Sequence, residues 1–316
     1  MEEQKKKRVV AIGGGTGLSA ILRGLKRRDL ELTAIVTVAD DGGSSGILRN
    51  ELNILPPGDI RNVLVSLANT EPLLEQLLQY RFKQGEGLAG HNIGNLLIAA
   101  LLDLTGDFVL AIKELSRVLA VKGQVLPATL QEVTLSAEFS DGTFTKGESN
   151  ITKQNKRIKR VYIEPNNVQP LVEAISAIEQ ADAILLGPGS LYTSLIPNLL
   201  VRGIRDSLAS AQGKKIYICN LMTQPGETDG FSASDHLRAI EQHVNGKLLE
   251  YVIVHDELIP PEIVERYLLK GAIPVKINKE QLIKEGYKVI SEQFLTYNTF
   301  LRHDAEKLAD LIVSLI

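Results

Sequence analysis

The sequence predicts an α/β protein built on a doubly wound, mostly parallel Rossmann-like sheet with a small antiparallel insertion. Three observations predict it. A short apolar strand runs directly into a glycine-rich loop and an amphipathic helix. A second β-branched strand follows within about thirty residues, the length of a βαβ unit. The alternation of apolar strands with helices then returns after residue 180.

Val9, Val10, Ala11 and Ile12 form the first strand, and Gly13-Gly14-Gly15-Thr16-Gly17 follows it. Leu18, Ile21, Leu22 and Leu25 then recur at the helical spacing i, i+3, i+4, i+7. Residues 32–38 make the second strand, and a strand–helix–strand run implies parallel pairing. Residues 60–120 read as helical. Leu73, Leu74, Leu77 and Leu78 give one stripe there; Leu96, Leu97, Ala100, Leu101 and Leu104 give another. Residues 124–165 change character. Val133, Leu135, Ala137 and Phe139 alternate with polar neighbours, Asp141-Gly142 signals a hairpin, and residues 160–164 make a further strand. This stretch reads as a β-rich insertion in a single domain spanning residues 1–316. Beyond it, residues 183–186, 215–219 and 251–254 are strands, residues 234–244 are helical, and Leu308, Leu311, Ile312 and Leu315 mark a closing helix.

Composition narrows the classes. A 316-residue chain with 44% hydrophobic and 23% charged residues can bury an ordinary globular core. The net charge of −3 exerts no pull toward nucleic acid or anionic membrane. The basic runs Lys5-Lys6-Lys7-Arg8 and residues 153–160 lack interleaved aromatics and read as solvated segments. The single cysteine, Cys219, excludes an internal disulfide and sits in an apolar strand, as a buried thiol does. The apolar run at residues 9–12 stops at three glycines, far short of a signal peptide, and no apolar stretch reaches membrane-spanning length. A cytoplasmic protein without membrane insertion or nucleic-acid binding is expected.

The loops carry the chemistry. Glycines after a first strand let backbone approach a pyrophosphate, while the following helix offers unpaired N–H groups. The match to G-x-G-x-x-G is partial, because Leu18 stands where the third glycine belongs, and no G-K-[ST] ending suggests a Walker-type NTPase. Residues 85–90 match G-x-G-x-x-G in letters but follow a helical stretch, so they read as a loop. Asp40-Asp41-Gly42-Gly43-Ser44-Ser45 lies past the second strand, where an acid can meet a ribose hydroxyl, hold a metal or act as a base. Asp59 and Arg61 follow a Pro-Pro-Gly turn; His91, Asn92 and Asn95 open an apolar helix. Gly187, Gly189 and Ser190 follow the strand at 183–186, and Asn220, Thr223 and Gln224 follow the next. Polar loops at several strand ends suggest one extended ligand site. The five histidines show no metalloprotease spacing, and His236 and His243 read as helix-surface residues. No catalytic residue and no metal ligand is assigned.

Taken in order, residues 13–17, 40–46, 56–61, 90–95, 187–200 and 220–228 resemble the gluconeogenesis factor family, the YvcK-like proteins. That family is related to 2-phospho-L-lactate transferase of deazaflavin cofactor biosynthesis. The resemblance covers nearly the whole chain. It implies a cytoplasmic, Rossmann-like protein needed for growth and cell shape on gluconeogenic carbon sources. It further implies binding of UDP-activated sugars such as UDP-N-acetylglucosamine, with cell-wall synthesis proteins and a second copy of the chain as candidate partners. The transferase branch instead moves a phospholactyl group from a guanylated donor to a deazaflavin alcohol, with Mg²⁺. This chain departs from that branch at Gly42-Gly43-Ser44-Ser45, at residues 56–61 and in its GPGSLYTS loop. The expected function is therefore a regulatory nucleotide-sugar-binding protein. A phospholactate-type transferase is the first alternative and an NAD-binding oxidoreductase the second.

Overall fold

The computed structural model describes residues 6–297 and 300–316. Lys5, counted above in the basic run, lies outside the described residues. Seven strands form one sheet: β1 (Lys7–Gly13), β2 (Leu30–Val36), β3 (Gln124–Pro127) and, from the later half, β7 (Ala183–Leu186), β8 (Lys214–Ile218), β9 (Tyr251–His255) and β10 (Lys288–Glu292). Between them in the chain, β4 (Thr134–Phe139), β5 (Phe144–Lys146) and β6 (Ile158–Glu164) make a separate three-stranded sheet. A two-stranded hairpin, β11 (Leu295–Tyr297) and β12 (Leu301–His303), comes last.

The main sheet runs β10-β9-β8-β7-β1-β2-β3, and every neighbouring pair in it is parallel. The chain first winds outward from β1 through β2 to β3, then resumes on the other side of β1 with β7. The doubly wound expectation holds, and the point where direction reverses lies between β1 and β7. Crevices for ligands open at such points, outside the C-terminal ends of the strands.

The Leu18, Ile21, Leu22 and Leu25 stripe is buried against the sheet, as its period requires. Helix Gly15–Leu25 also packs on the closing helix Ala305–Leu315 so closely that a Cβ on Gly24 would meet the Ala305 carbonyl oxygen. Residues 124–127 correct the expected insertion boundary. They pair with β2 as the parallel edge strand of the main sheet, and the antiparallel sheet starts at Thr134. A four-residue apolar strand carries no period of its own, so sequence reading merged it with the alternation that follows.

Two other corrections come from burial. Leu73, Leu77, Leu97 and Leu104 are exposed, while Leu78, Ile98 and Ala99 turn inward. Helix Ile93–Thr105 is apolar on nearly every face, so spacing cannot choose the buried one. Contact chooses it: Gly94 backs directly onto Leu78 and Arg61. His236 and His243 are buried rather than on the helix surface. His243 donates from Nδ1 to the Ala239 carbonyl and accepts the Val161 N–H at Nε2, 2.9 Å away, which pins β6 to helix Ala233–Val244. Burial holds its imidazole down at about 4, so it stays neutral.

A small satellite core of Leu221, Ile263, Leu295 and Leu301 supports the C-terminal lobe that carries helix Pro261–Leu268 and the β11–β12 hairpin. None of the described helices is long and apolar enough to cross a membrane.

Candidate functional site

A cleft of about 880 Å³ opens over the C-terminal ends of β1, β7 and β8. Its floor is two glycine loops face to face. After β1, Gly14 stands at the N-cap of helix Gly15–Leu25 with no side chain capping the helix and no acid in its first turn. The N-cap residue itself caps none of the first amides; Asp59 meets the Gly15 N–H, and the helix end favours an anion. After β7, Gly187 and Gly189 lead to Ser190 and the five-residue π turn Leu191–Leu195. The loops touch through Gly17, where a Cβ would lie 2.6 Å from the Pro188 carbonyl oxygen.

The glycines are required by this packing. A Cβ on Gly14 would come within 2.4 Å of Asp59 Oδ2 and 2.9 Å of Thr37 Cγ2. Gly15 has φ +64°, a conformation that β-branched residues resist. Asn198, fully buried, donates from Nδ2 to the carbonyls of Gly13 and Ser194, joining the first loop to the π turn. Asn220 fixes the second loop through both ends of its amide, accepting from Gly189 N–H and donating to Gly189 O.

Acids gather at the same place. Asp59, in the first turn of helix Gly58–Leu67, sits beside the first loop. Its carboxyl is pushed up to about 7, chiefly by burial and then by the charge of Asp40, with the Gly15 N–H and Arg61 pulling the other way. Asp40 accepts the Gly42 N–H at 2.9 Å in an Asx turn. Glu148, from the insertion, is likewise pushed up to about 7 by burial, then by Asp40, partly offset by the Thr193 hydroxyl, with Asp41 and Glu227 adding to the rise. Burial also raises Glu227. It accepts from Ser190 Oγ at 2.5 Å and from the Tyr192 N–H at 3.3 Å, and both pull against that rise. The C-terminal lobe contributes Tyr267, Phe300, Arg302 and His303 to the cleft, and helix Gly15–Leu25 contributes Arg23.

Of the residues singled out from sequence, the cleft is lined by Gly14, Gly15, Thr16, Gly17, Asp40, Asp59, Gly189, Ser190, Asn220 and Gln224. Gly13 and Gly187 sit behind that surface at their strand ends. Thr223 pairs with Ile273, binding the β8 loop to the C-terminal lobe. Gly42 caps helix Gly43–Leu52, which starts with Gly43. Asp41 accepts the Ser149 N–H at 2.8 Å and so anchors the insertion. Ser44, Ser45, Arg61, His91, Asn92 and Asn95 form a polar network behind the acids. Ser44 Oγ accepts the Asn92 N–H and meets His91 Nδ1, Asn95 donates to Ser45 Oγ, and Arg61 donates to Asn95 Oδ1.

Sequence reading missed Glu148, Thr193 and Glu227, and also Tyr267, Phe300 and Arg302. Thr193 and Glu227 lie within the motif segments 187–200 and 220–228 without having been singled out there; the others come from segments without a motif, and tertiary proximity assembles them. A Mg²⁺ ion bound with phosphate uses one or two carboxylates, and Asp40 with Asp59 supplies that donor set. Among the described residues no three His, Cys, Asp or Glu side chains form an all-protein metal cage. Cys219 is buried, with its thiol pushed up to about 12, so it is no nucleophile.

Comparisons with known proteins agree with this architecture. The family model "2-phospho-L-lactate transferase CofD" matches residues 9–295. The gluconeogenesis factor of Bacillus subtilis is 51% identical over 313 residues, 99% of each chain. That of Halalkalibacterium halodurans is 52% identical and covers 98% of this chain and 96% of its own. A crystal structure of a Bacillus halodurans protein superposes with a TM-score of 0.95 at 52% identity, over 98% of this chain and 100% of that one.

Proposed function

The chain belongs to the 2-phospho-L-lactate transferase CofD family, and from that premise we propose that it is a regulatory nucleotide-sugar-binding protein. Its ligand is a UDP-sugar such as UDP-N-acetylglucosamine, and its role is to support growth and cell shape under gluconeogenic conditions. The relatives named gluconeogenesis factor support the gluconeogenic-growth part of this reading. The binding part rests on one observation. Two glycine loops meet at the reversal point of the sheet and open into a cleft large enough for a dinucleotide-sized ligand. In this reading the diphosphate lies on the N-terminus of helix Gly15–Leu25 and the loop at Gly189 and Ser190. Tyr267 and Phe300 offer aromatic surface to the base, and Arg302 offers charge to the phosphates.

A second reading, a phospholactate-type transferase, is favoured by the adjacent Asp40 and Asp59. With a bound Mg²⁺ they would neutralise phosphate charge; the family match is compatible with it. Thermal shift separates the two. A ligand at a hundred times its Kd stabilises the folded state by about 2.7 kcal/mol. UDP-N-acetylglucosamine is expected to raise Tm more than GDP or NAD does. A larger shift with GDP would favour the transferase, whose donor is guanylated, and a larger shift with NAD would overturn both readings.

A further inference from the structure

One side of the cleft gathers acidic side chains, and the insertion supplies one of them, Glu148. Glu148 is carried there on the short helix Glu148–Ile151, which Asp41 holds through the Ser149 N–H. Around it lie Asp40, Glu227 and the Thr193 hydroxyl. Ser190 Oγ links Thr193 Oγ1, at 2.6 Å, to Glu227. On the β8 loop Gln224 lines the same cleft. Such a wall is complementary to donors without charge. Hydroxyl and amide N–H groups can satisfy it, whereas another carboxylate is repelled by several charges at once.

Building on the nucleotide-sugar reading above, we infer that Glu148 is a specificity-determining residue: it admits a neutral, hydroxylated sugar and rejects a sugar acid. The ligand's negative charge is confined to its diphosphate, which meets the glycine loops. The sugar lies against the insertion, donating hydroxyls to Glu148. The insertion thus acts as a charge filter fitted over a general phosphate site.

Calorimetric titration of the full chain with UDP-glucose and UDP-glucuronate tests this at pH 8, where Glu148 is ionised. The two ligands differ by one carboxylate. Wild type is expected to favour UDP-glucose by on the order of tenfold or more. Glu148→Gln keeps the side chain's shape and removes a charge that burial disfavours. Its Tm should not fall, and its ratio of affinities should close to within about threefold. Equal affinities in wild type, or a ratio that Glu148→Gln leaves unchanged, would overturn the inference while leaving the nucleotide-sugar reading intact. If neither ligand binds folded wild type, the nucleotide-sugar reading fails and this inference fails with it.

Discussion

Asp59 concentrates the tension in the site. A buried carboxylate beside a second acid is costly, and burial together with Asp40 raises its affinity for protons. An acid whose folded pKa lies above its unfolded one binds more protons when folded, so its contribution to stability falls as pH rises between the two values. For Asp59 that window runs from about 4, the ordinary carboxyl value, to about 7. Asp59→Asn should therefore gain on wild type as pH rises through this window, by up to about 4 kcal/mol at pH 8. Denaturation profiles of both proteins across pH check it; parallel profiles would mean that Asp59 titrates normally. His243 works in the opposite sense, since burial lowers its pKa to about 4 and costs stability as pH falls below the usual imidazole range. Comparing the variant with wild type cancels that contribution. Asp59 was legible in the sequence as a candidate. Glu148 was not, because a lone glutamate in a turn looks like any solvated one, and Glu227 was passed over within its motif because nothing local shows that it turns inward.

The element that decides selectivity is the insertion, and its attachments are specific. His243 ties β6 to helix Ala233–Val244, and Asp41 ties helix Glu148–Ile151 to the loop after β2. Adjacent acids in sequence thus take different tasks: Asp40 faces the cleft and Asp41 holds the segment that covers it. Asp41→Ala should cost about 1.5–3 kcal/mol, the contribution of one charge-assisted hydrogen bond. Hydrogen exchange should rise in residues 144–155 while the main sheet keeps its protection. Uniform loss of protection would show that Asp41 supports the whole fold, and no change would show that the Ser149 contact is idle. Antiparallel structure here was readable from alternation and the Asp-Gly turn. Which edge of the cleft it would cover was not, since that depends on side-chain contacts far apart in the chain.

At the scale of the molecule, the N-terminal βαβ unit revealed the sheet because local and tertiary signals agree there. The stripe at Leu18, Ile21, Leu22 and Leu25 is buried as spaced, and Gly14, Gly15 and Gly17 stand where backbone must come close. The C-terminal lobe was opaque for the opposite reason. Strands of three residues and a helix of eight carry too little periodicity to register, and their small core forms only against the β8 loop. Yet that lobe brings Tyr267, Phe300 and Arg302 to the cleft. The central claim is that the glycine loop after β1 holds the diphosphate of a nucleotide sugar. Gly14 tests it: its backbone is extended, at φ −170°, so alanine adds no φ strain, while its methyl group would push on Asp59 Oδ2 and on Thr37 Cγ2. The decisive measurement is calorimetric titration of UDP-N-acetylglucosamine into wild type and Gly14→Ala, with Tm recorded for both. The account predicts one site per chain in wild type and a loss of at least about tenfold, roughly 1.4 kcal/mol, in a variant that still unfolds cooperatively. Wild-type affinity in folded Gly14→Ala would contradict it.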